Sequence, residues 1–358
     1  MMENRQMKKT GRYLAALLLA ALFVLCAGGC AGGERARIYD QAGRDLEQGS
    51  YEYALSGFED SITNQYRLAE SWRGAGICSL RLGDPEQAVE YFTKALQMDK
   101  VSKALQRDIL CYRVTAQVQT GALDEALADC RTLAGLAAMD ADTYFLTGQV
   151  TLAMDSYAEA LSNFEQSYRA DPTYDRAIQI YEVYVSHDME GDGTYFLEMS
   201  LDSRPKTAED YCDRGRVYYY MDDYDNARAE LISASREGSR DAVLLLGMVY
   251  MAMKDYSNAR AMYIQYNSGG GTSAKGYNGL ALCDIAEENY NSALQNIHDG
   301  LTYATTEELQ SLLFNEIVVY ERQLDFASAR QKAQEYINLF PDDAQVRREL
   351  AFLNSRVS

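Results

Sequence analysis

The chain has 358 residues, 47% of them hydrophobic and 24% charged, with only 4 prolines; this is a globular balance, not that of a disordered or collagen-like chain. Its formal net charge is −19, from 34 Lys and Arg against 53 Asp and Glu. Such an acidic chain is poorly suited to nucleic acid, where affinity comes from neutralising phosphates, and anionic lipid headgroups repel it, so any membrane contact must be covalent or hydrophobic.

At the start of the chain Arg5, Lys8, Lys9 and Arg12 precede an apolar run from Tyr13 to Ala27, which ends in Gly28, Gly29 and Cys30. Charge, apolar stretch and small residues, in that order, make a secretory signal peptide, and the run is short for a membrane span of about 20 residues. Ala27-Gly28-Gly29-Cys30 resembles the bacterial lipobox, although that family usually carries Leu or Val where Ala27 stands. Cys26 is a poorer choice, because Leu25 before it is too large for the cleavage position. The resemblance implies a signal peptide over 1–29, lipid attachment at Cys30 and a lipidated tether over 30–34, flexible through Ala31-Gly32-Gly33. It also implies an extracytoplasmic protein, lipid-anchored to a bacterial membrane. An uncleaved anchor and plain secretion are the alternatives, and both still export the chain.

Beyond the tether one pattern recurs. Its clearest instance is Trp72-Arg73-Gly74-Ala75-Gly76, Leu80, Gly83-Asp84-Pro85, Ala88, Phe92 and Ala95. A small residue returns in register at Ala54, Ala88, Ala126, Ala160, Gly193, Ala227, Ala259, Ala293 and Ala329, at intervals of 32 to 38 residues. An aromatic follows four places later in four of the nine copies, at Phe58, Phe92, Phe164 and Tyr263. This frame resembles the tetratricopeptide repeat, a 34-residue helix–turn–helix unit with small residues at positions 8 and 20, a turn at 15 to 17 and an aromatic at 24. The small residues let two helices approach closely and the aromatic fills the space beside them. A unit this small cannot bury its apolar face alone, so neighbours must stack. The resemblance implies an all-α, right-handed superhelix: a solenoid of about nine helix–turn–helix repeats over 35–341, starting near 35, 69, 107, 141, 174, 208, 240, 274 and 310. A capping helix is expected over 342–358, where Val346, Leu350 and Leu353 stand among Arg347, Arg348 and Glu349.

The chemistry of the chain points away from catalysis. There are two histidines, His187 and His298, in different repeats, and no HExxH, GxSxG or Walker A sequence. Cys78, Cys111, Cys130, Cys212 and Cys283 have neither disulfide-framework nor metal-ligand spacing and read as small core residues; Cys111 with Cys130 is the one candidate bridge. Ser268 to Ser273 is glycine-rich but lacks the Lys-Ser or Lys-Thr of a phosphate loop, and reads as a connection between repeats. Asp188, Glu190 and Asp192 resemble the front of a calcium-binding EF-hand loop, but Met199 stands where that loop needs a bidentate Glu, so a solvated turn is expected there. No enzyme activity, cofactor or metal is expected.

The tetratricopeptide resemblance also implies a groove lined by the first helix of each unit, through positions 2, 5, 9, 12 and 13. Carried onto this frame, the groove residues are Arg73, Arg81, Phe145, Arg216, Tyr219, Tyr220, Met248, Met251, Asn278 and Leu282. Aromatics, Met and Arg are the types enriched at interfaces. The Lys–Asn clamp with which some family members hold a C-terminal carboxylate is missing. The function expected is a non-catalytic, membrane-anchored scaffold that binds envelope or secreted proteins, or peptide segments of them, and no nucleic acid. The alternative is a ligand-binding lipoprotein that captures a peptide or glycan in the aromatic C-terminal part of the groove.

Overall fold

The structure, a computed structural model, describes residues 33–356 apart from 270, 272 and 342 and the side chains of 306 and 307. The proposed signal segment and Cys30 lie outside the described residues. Within them the chain is nineteen helices and no strand. It divides into two compact units, one through Leu136 and one from Ala137.

The first unit holds α1 (33–47), α2 (Tyr51–Thr63), α3 (Leu68–Arg81), α4 (Pro85–Leu96), α5 (Lys103–Thr120) and α6 (Leu123–Leu136). Gly33 and Glu34, assigned to the tether by sequence, already stand in α1. The second unit begins with α7 (Ala141–Ala153), α8 (Tyr157–Ala170), α9 (Tyr174–Val185), α10 (Glu190–Leu201), α11 (Ala208–Tyr220) and α12 (Tyr224–Arg236). It continues through α13 (Arg240–Ala252), α14 (Tyr256–Ser268), α15 (Ala274–Ala286), α16 (Tyr290–Leu301), α17 (Thr306–Arg322), α18 (Phe326–Leu339) and α19 (Ala344–Arg356). Odd-numbered helices up to α17 are first helices and each even-numbered one folds back on the helix before it.

Local chemistry sets the helix ends. The turns between paired helices contain a residue with positive φ: Gly49, Gly83 and Gly121, then Asp155, Asp188, Asp222, Lys254, Glu288 and Leu324. Glycine adopts that conformation without strain, whereas an L side chain resists it. The next helix is then capped. Asp84, Asp223, Asp255 and Asp325 each accept a hydrogen bond from the backbone N–H three residues on, satisfying a donor the helix itself leaves unpaired.

Packing follows the small-residue frame. Ala54, Ala88, Ala126, Ala160, Ala227, Ala259, Ala293 and Ala329 are all 0% exposed. Opposite them, glycines of the first helices receive the rings of the second. A Cβ on Gly76 would lie 2.5 Å from the Phe92 ring, one on Gly148 2.6 Å from Phe164, and one on Gly247 2.5 Å from Tyr263. The first unit's core is built around Phe58, Tyr91, Phe92 and Ile109. The second unit's largest cluster joins Phe164, Tyr174, Ile180, Tyr184, Phe196 and Leu197, and smaller ones follow around Leu231, Tyr263, Ile297 and Tyr336. Each such side chain contributes about 1.5–3 kcal/mol on burial.

Candidate functional site

The first helices of the second unit frame a groove. Its walls come from Asp175 on α9, Glu209, Asp213 and Arg216 on α11, Asp241 and Leu245 on α13, and Lys275 at the start of α15, around about 850 Å³. Asp175, Glu209, Asp241 and Lys275 occupy the same place in their helices, one residue after the first. A carboxylate in a first helical turn is favoured by the helix dipole, which accounts for much of this acidic column. The groove is nonetheless partly neutralised from within. Arg216 pairs with Asp213 at 3.2 Å on its own helix and with Asp175 at 3.5 Å on α9. Burial pushes the Asp213 carboxyl up, against the lowering pull of Arg216. Glu209 and Asp241 take part in no ion pair among the described residues, and they line the groove together with Leu244, Leu245 and Lys275.

The same device, a bond between successive first helices, recurs elsewhere. Arg73 on α3 grips Asp108 on α5 through both carboxylate oxygens and lies 5.4 Å from the Tyr112 ring. Arg176 on α9 reaches back to Asp142 on α7 at 2.5 Å. The Tyr220 hydroxyl on α11 donates to Glu182 on α9 at 2.8 Å, and burial, then that carboxylate, pushes its pKa up to about 12. Asn315 on α17 donates to Asn278 on α15 at 2.7 Å.

The residues expected to line the groove therefore divide. In the first unit Arg73 is half-buried in its ion pair, and Arg81 is exposed at the end of α3. In the second, Arg216 lies within the acidic groove, and Tyr219 and Tyr220 follow it on α11 with rings 6.1 Å apart. Met248 is 38% exposed, whereas Met251 packs against the Tyr263 cluster with the Cys283 thiol 3.3 Å from its sulfur. Phe145 lies against Phe164 at 5.9 Å with the Arg176 guanidinium over its ring at 5.1 Å. Asn278 and Leu282 line a separate cavity of about 330 Å³ with Phe314, Asn315 and Tyr336. Glu190 and Asp192, of the calcium-loop resemblance, stand in the first turn of α10, and Asp188 in the preceding turn has φ 57°, so the segment is helical from its third ligand position on. Among the described residues no three His, Cys, Asp or Glu gather as a metal site. Cys78, Cys212 and Cys283 are buried, and burial pushes the Cys78 thiol up to about 12 and the other two to about 11.

Sequence reasoning overlooked the acidic residues Asp108, Asp142 and Asp175, which hold arginines, and Glu209 and Asp241, which line the groove. All five are the second residue of their units in the frame, one of the positions taken to face the groove, so the signal was present as a column of carboxylates. No described helix is long and apolar enough to cross a membrane.

Two tetratricopeptide-repeat family models match the chain, over residues 69–100 and 212–266. No curated protein matches its sequence significantly. Among solved structures, yeast Tom70 is similar at 12% identity over 91% of this chain and 89% of that one, with a TM-score of 0.38. A tetratricopeptide repeat protein from Parabacteroides merdae is similar at 15% identity over 70% and 98%, with a TM-score of 0.41. MamA from Desulfovibrio magneticus is similar at 19% identity over 47% and 94%, with a TM-score of 0.39. With the paired helices and glycine–aromatic packing described above, the two family matches identify tetratricopeptide repeats within residues 69–100 and 212–266.

Proposed function

We propose that the protein is a non-catalytic scaffold that holds segments of envelope or secreted proteins along the first helices of its second unit, tethered outside the cytoplasm to a bacterial membrane by a lipid on Cys30. The observation that carries the reading is the groove of about 850 Å³ whose walls are contributed by α9, α11, α13 and α15. A wall shared by successive repeats suits an extended or helical segment, which needs side-chain pockets at regular spacing. Glu209 and Asp241, in no ion pair among the described residues, favour a segment carrying Lys or Arg, and Leu244 and Leu245 in the same groove favour an apolar anchor. The anchor rests on Ala27-Gly28-Gly29-Cys30 and confines the groove to a surface, which raises the effective concentration of whatever it holds.

The test is crosslinking in intact membranes followed by mass spectrometry, comparing the wild type with a Glu209→Lys, Asp241→Lys chain. A specific protein crosslinked at α11 or α13 and lost in the charge-reversed chain supports the scaffold. Capture that ignores the change, or no captured protein, removes it and turns attention to the peptide- or glycan-binding alternative. Cys30→Ser is expected to abolish incorporation of labelled fatty acid and release the chain from the membrane fraction; retention of the label would dispose of the lipid anchor at that residue.

A further inference from the structure

A second cavity of the same unit lies between second helices, away from the groove. It encloses about 520 Å³ and is lined by Tyr157, Leu161 and Glu165 on α8, Tyr184 on α9, and Asp192 and Tyr195 on α10. Met189, just before α10, adds to the wall, and Gly191 leaves that side open, since a Cβ there would meet nothing within 4 Å. Three large apolar side chains are held out at its rim: Tyr157 is 52% exposed, Leu161 40% and Tyr195 43%.

Three features distinguish this cavity from an ordinary polar surface. Neither Glu165 nor Asp192 is ion-paired with a Lys or Arg among the described residues, so the two carboxylates face the cavity without a cation of the chain's own. The rings are fixed by their neighbours: the Tyr157 hydroxyl donates to Asp155 at 2.9 Å, the Tyr195 hydroxyl to Glu165 at 3.4 Å, and the Tyr195 ring stands edge-on to Phe196 at 5.1 Å. Finally, Tyr184 is only 2% exposed, with its ring 5.3 Å from Phe164 and stacked on Phe196 at 6.1 Å, yet its hydroxyl has no hydrogen-bond partner among the described residues. The oxygen itself stays open to water at the cavity wall, whereas Tyr181, one turn earlier on the same helix, donates to Glu190 at 3.0 Å. Burial, then the Asp192 and Glu165 carboxylates, raises the Tyr184 hydroxyl to about 12.

We propose that this cavity binds a primary ammonium at the end of a polymethylene chain, as in a diamine or a lysine side chain. The ammonium N–H groups meet the oxygens of Glu165, Asp192 and Tyr184, while the tyrosine faces attract the charge and Leu161 and Met189 cover the methylenes. Two carboxylates exclude an anion. A metal ion finds only two carboxylates among aromatic walls, short of the six to eight oxygens that calcium takes.

The experiment is calorimetric titration of the full chain with cadaverine, in parallel with 1,5-pentanediol, which has the same reach and no charge. Saturable binding of cadaverine and none of the diol is expected. Asp192→Asn and Glu165→Gln should each weaken it at least tenfold, and Tyr184→Phe, which keeps the ring and removes the oxygen, about tenfold. Asp225→Asn, an exposed carboxylate remote from the cavity in sequence and paired with Arg228, should change nothing. Asp192 is exposed in a first helical turn, so its variant reads the site even if Tyr184→Phe fails to fold. Nα-acetyl-lysine methylamide distinguishes the sources: tighter binding than cadaverine marks a protein-borne lysine, weaker binding a free diamine. Equal binding of diamine and diol, or cadaverine binding that persists in the Asp192 and Glu165 variants, overturns the proposal and leaves only general attraction to an acidic surface.

Discussion

Gly148→Ala tests the packing rule on which the repeat frame depends. In a helix interior alanine is favoured over glycine by about 1 kcal/mol, so propensity alone predicts a gain. The structure predicts the opposite. The new Cβ would lie 2.6 Å from Phe164 Cε1 and 2.7 Å from Cδ1, whereas carbon atoms rest about 3.5–4.0 Å apart. The ring cannot easily retreat: Phe164 is 0% exposed, with Phe145 at 5.9 Å, Tyr184 at 5.3 Å and Phe196 at 6.3 Å. Overpacking of this kind costs about 1–3 kcal/mol, so the net change ranges from near zero to a loss of about 2 kcal/mol. Gly43→Ala is the control, because nothing lies within 4 Å of its Cβ in the middle of α1, and there the propensity gain should appear. Urea unfolding followed by far-ultraviolet circular dichroism, with the m-value monitored, measures both. Phe164→Leu should soften the effect of Gly148→Ala, since the smaller side chain vacates the position the methyl needs. If Gly148→Ala raised the midpoint as Gly43→Ala does, close approach of ring and glycine would not be what fixes the helix pair.

Two further outcomes follow from single residues. Leu324 holds φ at 62° in the turn before α18 while 73% exposed, so it bears the strain of a left-handed conformation with little packing in return. Leu324→Gly is expected to raise stability by about 1 kcal/mol, seen as a higher urea midpoint, and a lower midpoint would contradict that account. Burial, and then the neighbouring Glu349 carboxyl, pushes Glu321 up to about 7. The folded chain therefore keeps a proton there that the unfolded chain releases above about pH 4.5. This contribution to stability is full below that pH and is lost as pH rises through about 7. Glu321→Gln should hold its melting temperature between about pH 5 and about pH 8 better than the wild type, and parallel profiles for the two chains would show that the carboxyl is not what titrates.

The sequence by itself determined the repeat and the helical class. Ala54, Ala88, Ala126 and their successors recur because each helix pair solves the same short-range packing problem, so the answer is written locally and again in every unit. The spacing of Gly148 to Phe164 and of Gly247 to Tyr263 could be read from the string as a small residue and a ring sixteen places apart, which the turn brings face to face. The site was less legible. That Arg73 is gripped by Asp108, Tyr220 by Glu182 and Asn278 by Asn315 depends on which side chains on neighbouring first helices come opposite one another, and separations of 35 to 38 residues are visible only once the units stack. The same holds for Tyr157, Tyr184 and Tyr195. Each reads as one more tyrosine in the frame, and only the packing of α8, α9 and α10 brings their rings around one cavity with two carboxylates that have no ion pair among the described residues. Periodicity reports what a helix buries, because burial repeats with the helix; it does not report which groups meet across helices, because that is set by the rise and rotation from one unit to the next.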